Sequence, residues 1–490
     1  MRKRTAKKLI KCIDDVLSSM EMLRKFKENS YIVSKTEKVC NENLAVMDAD
    51  LGMEDDFTAL LAEFGESVGN ADAEKASEAA DRLKKVIVDN ITYKVVFMPY
   101  KASMWDSLES VWMAADRDKC CEAVVVPITY YELDSNQNPV KKVNERDEFP
   151  EYVPVVNDEE YDLENDRPDI IYIHNPYDNT NAITRVKSRY YSYNLRKYCE
   201  KLVYIPYYKW IDGLTSTSFK SAMYYADYTV QSSDDAVKRC VEASPKYAEE
   251  LRLETAGVRN AMEHKLINLG SPEVDKIISI MKKGMDLPEE WKGKVKRDKV
   301  NVLYNTTIGE ITEAKRLDKL KNVFSYFKNN SERFFVIWRP HPLLRQTLVS
   351  MLPELVSEYD DMVNDFLSGN YGILDNNTSM YYSIYWSDMY YGDSSSSMTE
   401  LYRYTGKVVL ENLPKESRIE TKIDSKDLFS KLKKTKTISE ESCSLRETME
   451  LIYEHKELRN GKGIKVTDNS GEKINRYMLS KVFVGDYYGK

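Results

Sequence analysis

The chain has 490 residues, enough for two or three domains with large cores. Lysine and arginine number 72 against 80 aspartate and glutamate, so the formal charge is −8, which argues against a general nucleic-acid binder. The seven cysteines are scattered without a C-x-x-C pair, and they suggest neither a disulfide framework nor a zinc site. We predict a reduced, cytosolic protein, because neither a signal peptide nor an apolar run of membrane-spanning length occurs.

Residues 1–90 differ from the rest of the chain, because they contain no proline and no strand-like apolar run. Apolar residues recur at helical spacing in this segment, which predicts a helical subdomain. Its first eleven residues contain six basic side chains and no acidic one. Two interpretations stay open for these charges: a solvated helix face, or peripheral attraction to anionic lipid headgroups.

From about residue 92, short β-rich runs alternate with helical segments, which predicts parallel sheets with helical crossovers. A second series of five predicted strands (300–307, 333–342, 371–376, 387–397 and 407–412) begins after the charged segment 287–299, which we interpret as a linker. The predicted fold class is therefore α/β, with two doubly wound parallel-sheet domains that face each other across a cleft, as in the GT-B architecture. The predicted units are a helical subdomain (1–90), an acceptor domain (91–285), a donor domain (300–425) and a helical tail (426–490).

One segment of the second domain, SDMYYGDSSSSMTELYRYTGKVVL (387–410), predicts a phosphate site. Its strand ends at Asp393, four serines follow, and a helix begins. Ser397 and Glu400 have the spacing of a capping box, so we predict Ser397 as the N-cap of that helix. Backbone N–H groups of a first helical turn, together with serine hydroxyls, are suited to binding an anion. Capping alone leaves the serine run unexplained.

A second motif, RFFVIWRPHP (333–342), places Arg339 and His341 at the carboxyl end of another predicted strand. Arginine offers a planar fork for phosphate oxygens. A histidine there can donate to a pyrophosphate or protonate a leaving group. We therefore predict that both residues serve a phosphorylated ligand.

Four segments in this order resemble the CDP-glycerol glycerophosphotransferases, the teichoic-acid primases and polymerases of Gram-positive bacteria. The resemblance covers 266–412, does not extend to 1–90, and rests on LINLGSPEVDKI, NVLYNTTIGE, RFFVIWRPHP and SDMYYGDSSSSMTELYRYTGKVVLEN. It implies a GT-B enzyme without a cofactor or metal, which takes a CDP-linked polyol phosphate as its donor substrate. By the same resemblance, the donor-binding residues are Thr306, Thr307, Arg339, His341, Asp393, Ser394, Ser395, Ser396 and Glu400.

The implied reaction is transfer of a polyol phosphate, glycerol phosphate first, to a hydroxyl of a teichoic-acid-type acceptor, with release of CMP. The implied partners are the donor, a lipid-linked or polymeric polyol-phosphate acceptor and an anionic membrane face, and no nucleic acid. Two alternatives stay open. One is a GT-B glycosyltransferase that uses a sugar nucleotide, and the other is a protein that binds the donor without turnover.

The chain departs from the family at the expected catalytic base. Family members place a His-Gly pair after a strand of the first domain, where this chain has Tyr207 and Tyr208. Tyrosine is a poor base at neutral pH, because its ordinary pKa is about 10. His174, after DIIYI, is one substitute, with a structural histidine as the alternative, and Asp106 is a second candidate base. The segment RVKSRYYSYNLRKY (185–198) is either a solvated helix or a surface for a polyanionic acceptor.

Overall fold

A computed structural model shows the fold of the chain. It describes all residues except 52–54, 135, 208–219, 251–253, 296, 315, 395, 413–424, 460, 462–468 and 484–490.

The N-terminal segment is helical, as predicted, and its described residues form four helices. They are α1 (Lys3–Lys25), α2 (Ser30–Leu51), α3 (Asp55–Gly69) and α4 (Ala73–Asp89). In α4 the Asp72 side chain caps the first turn by accepting from the Lys75 N–H, and Ala76, Ala80, Leu83 and Ile87 form its buried face. These side chains belong to the same hydrophobic core as one face of the first sheet. The helical segment is thus joined to the first domain by a shared core.

Between residues 93 and 283, the described part of the first domain forms nine strands and seven α-helices. In chain order they are β1 (Tyr93–Met98), α5 (Asp106–Arg117), β2 (Cys121–Val125), β3 (Tyr130–Leu133), β4 (Pro139–Val143), α6 (Leu163–Asp166), β5 (Ile170–Ile173), β6 (Thr184–Val186), α7 (Ser192–Leu195), β7 (Lys201–Tyr204), α8 (Ser221–Tyr225), β8 (Tyr228–Gln231), α9 (Asp234–Glu250), α10 (Thr255–Lys265), β9 (Leu266–Asn268) and α11 (Pro272–Lys283).

Six of these strands form a parallel sheet in the order β2-β1-β5-β7-β8-β9. The predicted strands of this domain are therefore confirmed. Strand order reverses direction between β1 and β5, so the loops after these two strands border the crevice where doubly wound sheets bind ligands. The sequence analysis did not foresee a second, antiparallel sheet of order β4-β3-β6.

The residues that the structure describes in the second domain form six strands and eight α-helices, and a further helix follows them. In chain order they are β10 (Val300–Thr306), α12 (Ile308–Ala314), α13 (Asp318–Asn329), β11 (Phe334–Pro340), α14 (Leu344–Met351), α15 (Val356–Ser368), β12 (Gly372–Leu374), α16 (Tyr381–Trp386), β13 (Met389–Asp393), α17 (Ser397–Arg403), β14 (Val408–Asn412), α18 (Ser425–Thr435), β15 (Thr437–Ser439), α19 (Leu445–Glu454) and α20 (Ser470–Ser480).

The second sheet is also parallel, in the order β12-β11-β10-β13-β14-β15, and its direction reverses between β10 and β13. All seven residues of β10 are buried, as befits the central strand of a sheet covered on both faces. The five predicted strands are confirmed. A sixth, β15, lies within the segment that we expected to be a helical tail.

The predicted domain limits differ from the packing at two points. Helix α11, assigned by sequence to the first domain, places Val274, Ile277 and Ile280 in a core of the second. Trp291, inside the predicted linker, is buried in that core as well. At the other end of the chain, α20 returns to the first domain and packs on α5, where Asn475 Nδ2 donates to Asp118.

A hydrogen bond joins the carboxyl edges of the two sheets. Asp106 lies in the segment that follows β1, and Tyr381 lies in the segment that follows β12. The Tyr381 hydroxyl donates to Asp106 Oδ2 across the domain boundary. A second interdomain pair joins Lys276 Nζ on α11 to Glu109 Oε2 on α5 at 2.6 Å. The fold class is therefore the predicted one, with two doubly wound domains opposed at their carboxyl edges.

Candidate functional site

The buried amide of Asn305 joins neighbouring strands to the loop after β13 at the carboxyl edge of the second sheet. Its Nδ2 donates to the carbonyl of Arg339 at 2.8 Å, which ties β10 to the end of β11. Its Oδ1 accepts from Ser396 Oγ at 2.9 Å and from the Tyr390 hydroxyl at 3.1 Å. The side chain thus links β10, β11 and the loop after β13. Asn305 was not among the residues predicted from the sequence, although a polar residue inside the strand VNVLYNTT indicates a buried hydrogen-bonding role.

Thr307 and Asp393 form a second link, at the point where the sheet reverses direction. Thr307 Oγ1 donates to Asp393 Oδ2 at 2.7 Å and accepts from the Glu310 N–H at 3.3 Å, near the start of α12. The structure therefore brings together two of the predicted donor-binding residues that lie 86 positions apart.

The serine run caps α17, but one residue earlier than predicted. Ser396, not Ser397, is the N-cap, and its Oγ accepts from the Met398 N–H at 3.3 Å. Glu400 is therefore one position too late for a capping box, and it pairs with Arg403. The Ser394 N–H donates to the Asn412 carbonyl at 3.0 Å. Ser395 lies outside the described residues.

Thr306 differs from its neighbour Thr307, because its side chain is fully buried. Its Oγ1 accepts from the indole Nε1 of Trp338 at 3.0 Å. That hydroxyl satisfies a buried donor inside the sheet, so only the backbone of Thr306 is left for a ligand.

Arg339 lies at the predicted strand end, where its charge is already compensated. Its Nη1 donates to Asp375 Oδ2 at 2.6 Å, and its Nη2 donates to the Asn377 carbonyl at 2.9 Å. Asp375 is almost completely buried. Arg339 thus orders the loop after β12, and fewer of its donors remain for a diphosphate than the sequence analysis assumed.

His341 is exposed, and its backbone N–H donates to the Thr306 carbonyl at 2.8 Å. Its Nδ1 accepts from the Leu343 N–H at 3.1 Å, so the neutral ring carries its proton on Nε2. Partial desolvation of the ring lowers the pKa of His341. The arrangement leaves a neutral N–H donor at the sheet edge.

His174 is fully buried, and both of its ring nitrogens are engaged within the first domain. Nε2 accepts from the Tyr100 N–H at 3.0 Å. Nδ1 lies 3.2 Å from the Met104 carbonyl and 3.1 Å from Ser107 Oγ, so it carries the proton. Burial lowers the pKa of His174 to about 3. These contacts favour the structural alternative, because no ring nitrogen is left to accept a proton from a substrate.

The surroundings of His174 are aromatic. The rings of Tyr100 and Tyr207 meet it edge to face at centroid distances of 5.6 and 6.0 Å. The Tyr207 hydroxyl lies 3.4 Å from that of Tyr177. Tyr208, the other residue at the family's His-Gly position, lies outside the described residues.

The environment of Asp106 shifts the pKa of its carboxyl group toward neutral pH. Burial at the domain boundary raises the pKa of Asp106 to about 6, and the hydrogen bond from Tyr381 acts in the opposite direction. A carboxyl group with such a pKa exists in both protonation states near neutral pH. Of the two candidate bases in the first domain, Asp106 is therefore the one that faces the second domain with a suitable pKa.

Two cavities flank the carboxyl edge of the second sheet. One, of about 880 Å³, is bordered by Thr306 and Asp393. The other, of about 550 Å³, is bordered by Arg339 and His341. Four of the nine predicted donor-binding residues thus border these cavities, two at each.

No family model and no curated protein matches the chain. The solved structures that it resembles include UDP-GlcNAc 2-epimerase from Methanocaldococcus jannaschii, with 11% identity and a TM-score of 0.45 over 79% of this chain and 99% of that one. They also include the wall teichoic acid polymerase TagF, with 11% identity and a TM-score of 0.39 over 88% of this chain and 98% of that one. Such values do not identify an activity, a substrate or a site residue.

We predict that Asn305→Asp weakens the second domain, because it replaces the donor that faces the Arg339 carbonyl with an acceptor. The expected loss in the free energy of unfolding is about 1–3 kcal/mol, the cost of a buried polar group without its partner. Urea unfolding measures it, with Asn322→Asp as an exposed control of equal charge change. Equal losses in both variants would contradict the linking role.

We also predict a pH-dependent contribution of His174 to stability. The pKa of His174 is lowered in the folded protein, so its stabilisation is complete above the unfolded pKa of about 6.5 and declines as the pH falls toward 3. The stability gap between the wild type and His174→Gln should shrink by about 1.4 kcal/mol per pH unit below pH 6.5. Urea unfolding from pH 7 to pH 4 tests this, with His264→Gln as the control, and a constant gap refutes it.

Proposed function

We propose that the chain transfers a polyol phosphate, most simply glycerol phosphate, from a CDP-linked donor to a hydroxyl of a teichoic-acid-type acceptor, and that CMP is released. The observation that carries the proposal is the set of loops joined by Asn305 at the reversal point of the second sheet, opposed by Asp106 of the first domain. Ligands of doubly wound sheets bind at such a point.

The donor-binding part of the proposal relies on neutral hydrogen-bond donors. Ser394 and the first-turn N–H groups of α17 are suited to phosphate oxygens, and the His341 Nε2–H is a further donor. The Ser396 hydroxyl donates to Asn305 and so positions this turn. Asp393 and Glu400 are suited to accept from hydroxyl groups of the nucleoside or the polyol. Arg339 acts through the loop that it orders by its pair with Asp375.

The chemical step is displacement at phosphorus. The acceptor hydroxyl oxygen bonds to the β-phosphorus of the donor, and its proton passes to the carboxylate of Asp106. The bond from that phosphorus to the bridging oxygen breaks, and CMP leaves with the electron pair, stabilised by the His341 N–H. Positioning and electrostatic stabilisation supply most of the catalysis in phosphoryl transfer, in keeping with a site without a strong nucleophile.

Donor binding without turnover is a second candidate, favoured by one observation. The chain lacks the family's histidine at Tyr207, and both nitrogens of His174 are engaged. Measured transfer separates the two candidates, because both require binding of the CDP-linked donor.

The proposal is tested by incubating the protein with CDP-glycerol and a glycerophosphate-primed acceptor. We expect CMP release that falls at least tenfold in His341→Ala, because that variant loses a donor to the leaving group. Thermal unfolding with CDP, UDP and GDP identifies the nucleotide, and stabilisation by CDP alone supports the proposal. A preference for UDP or GDP would support a glycosyltransferase, and CDP binding without CMP release would support the non-catalytic candidate.

We predict that the transfer rate rises with pH through a midpoint near 6, because the base form of Asp106 is required. Asp106→Asn should remove this limb together with most of the activity. Tyr381→Phe removes a hydrogen bond that lowers the pKa of Asp106, so the midpoint should move to higher pH. A pH–rate profile is the measurement, and an unmoved midpoint in Tyr381→Phe would contradict the assignment.

A further inference from the structure

Helix α1 carries a row of positive charge on its outer face. Arg4, Lys7, Lys8 and Lys11 follow one another at intervals of three, one and three residues, and all four are exposed. Such spacing places them on one side of a helix, along roughly 10 Å of its axis. The opposite side is buried in the core through residues such as Leu9 and Ile13.

Ion pairs divide the six basic residues of this segment into two groups. Arg2 pairs with Asp166 and Lys3 pairs with Glu200, so these two side chains hold the helix to the first domain. Within the described part of the chain, no ion pair is recorded for Arg4, Lys7 or Lys11. These three charges therefore contribute no ion pair to the fold.

Helix stability does not explain the charges either. The first turn of α1 contains no acidic residue, and the basic ones lie at the positive end of the helix dipole. Cations at that end destabilise a helix, because the dipole favours anions there. The charge pattern therefore opposes the stability of the isolated helix and raises the positive potential at its exposed start.

The fold adds a further cation to the row. Arg167 borders, together with Lys3, Arg4 and Lys7, a cavity of about 270 Å³. Both carboxylates in the cavity wall are engaged, since Glu200 pairs with Lys3 and Asp169 accepts from the Lys94 N–H at 2.8 Å. A small cavity with unpaired basic groups on its rim suits a single phosphate group.

We propose that the basic face of α1 (Arg4, Lys7, Lys8 and Lys11), with Arg167 beside it, docks the protein onto a membrane surface rich in anionic phospholipid headgroups. A membrane fits better than a soluble polyanion, because the charges lie along one straight helix face. Met22, eighteen residues after Arg4 in the same helix, continues that face by helical periodicity and is 42% exposed. The C-cap residue Phe26, directly after the helix, is 43% exposed. An amphipathic helix surface that combines cations with apolar side chains is typical of contact with a lipid interface.

Docking through the basic face of α1 would leave the candidate site uncovered, because the two lie at opposite edges of the first sheet. The cavity wall includes Asp169 and Glu200, which precede β5 and β7 and so lie at the amino edge of the first sheet. The candidate site lies at the opposite, carboxyl edge. The basic face also belongs to residues 1–90, outside the segment that resembles the glycerophosphotransferases, so the inference does not depend on the proposed function.

The test is cosedimentation of the full chain with vesicles of phosphatidylcholine, alone or mixed with one-third phosphatidylglycerol. We expect binding only to the anionic vesicles, and loss of binding in 1 M salt, where the screening length is about 3 Å. The variant Arg4→Gln/Lys7→Gln/Lys11→Gln should lower the vesicle partition coefficient about 100-fold, from the contribution of each basic residue at an anionic membrane. Arg167→Gln, on a separate element, should lower it about fivefold.

The matched control is Lys433→Gln/Lys434→Gln/Lys456→Gln, which removes the same charge from exposed lysines of the second domain. This variant should bind vesicles as the wild type does. Equal loss in both triple variants would overturn the proposal, because net charge alone would then explain binding. Binding to soluble poly(glycerol phosphate) but not to vesicles would also overturn it and would identify a polyanion surface. Since no nucleotide is present, failure here leaves the transfer reaction open.

Discussion

The buried amide of Asn305 is the constraint on which the candidate site depends. An amide has donors on one side and an acceptor on the other, and here each side is bonded to a different loop. A buried polar group is stable only while its partners stay in place, so the ends of β10 and β11 and the start of α17 are held in one arrangement. The hydrogen bonds of the Asn305 amide therefore position the side chains that are proposed to contact the donor.

His174 and His341 differ in which ring nitrogens are already hydrogen-bonded, and this difference decides whether each ring is available to a ligand. His174 is buried between the Tyr100 N–H and the Met104 carbonyl, and its neutral ring works as a bridge within the first domain. His341 uses one nitrogen to order its own turn and leaves the other as a donor. Both follow a strand at a carboxyl edge, so position along the chain did not distinguish them.

Much of the fold was predictable because the strands of parallel sheets are buried on both faces and read as continuous apolar runs. β15 was missed because three residues, TIS, carry too little pattern to be told from a loop. The sequence indicated a position at the sheet edge only where a polar residue ends a strand or directly follows it, as Asp393 and His341 do. The contact of Asp106 with Tyr381 joins residues 275 positions apart, and the cap at Ser396 depends on loop geometry, so neither was visible in sequence.

The distribution of the cations makes the formal charge of −8 compatible with the proposed binding of anionic ligands. Near the second sheet, Arg339, Arg403 and Lys319 are each paired with carboxylates, so little net positive charge remains there. We propose that a diphosphate at this edge is bound by hydroxyl and N–H dipoles, which orient a ligand more strictly than a mobile lysine does. On the first domain, α1 carries Arg4, Lys7 and Lys11, for which the described residues provide no ion pair. In the two proposals, attraction to an anionic surface and orientation of an anionic substrate therefore occur at opposite edges of the molecule.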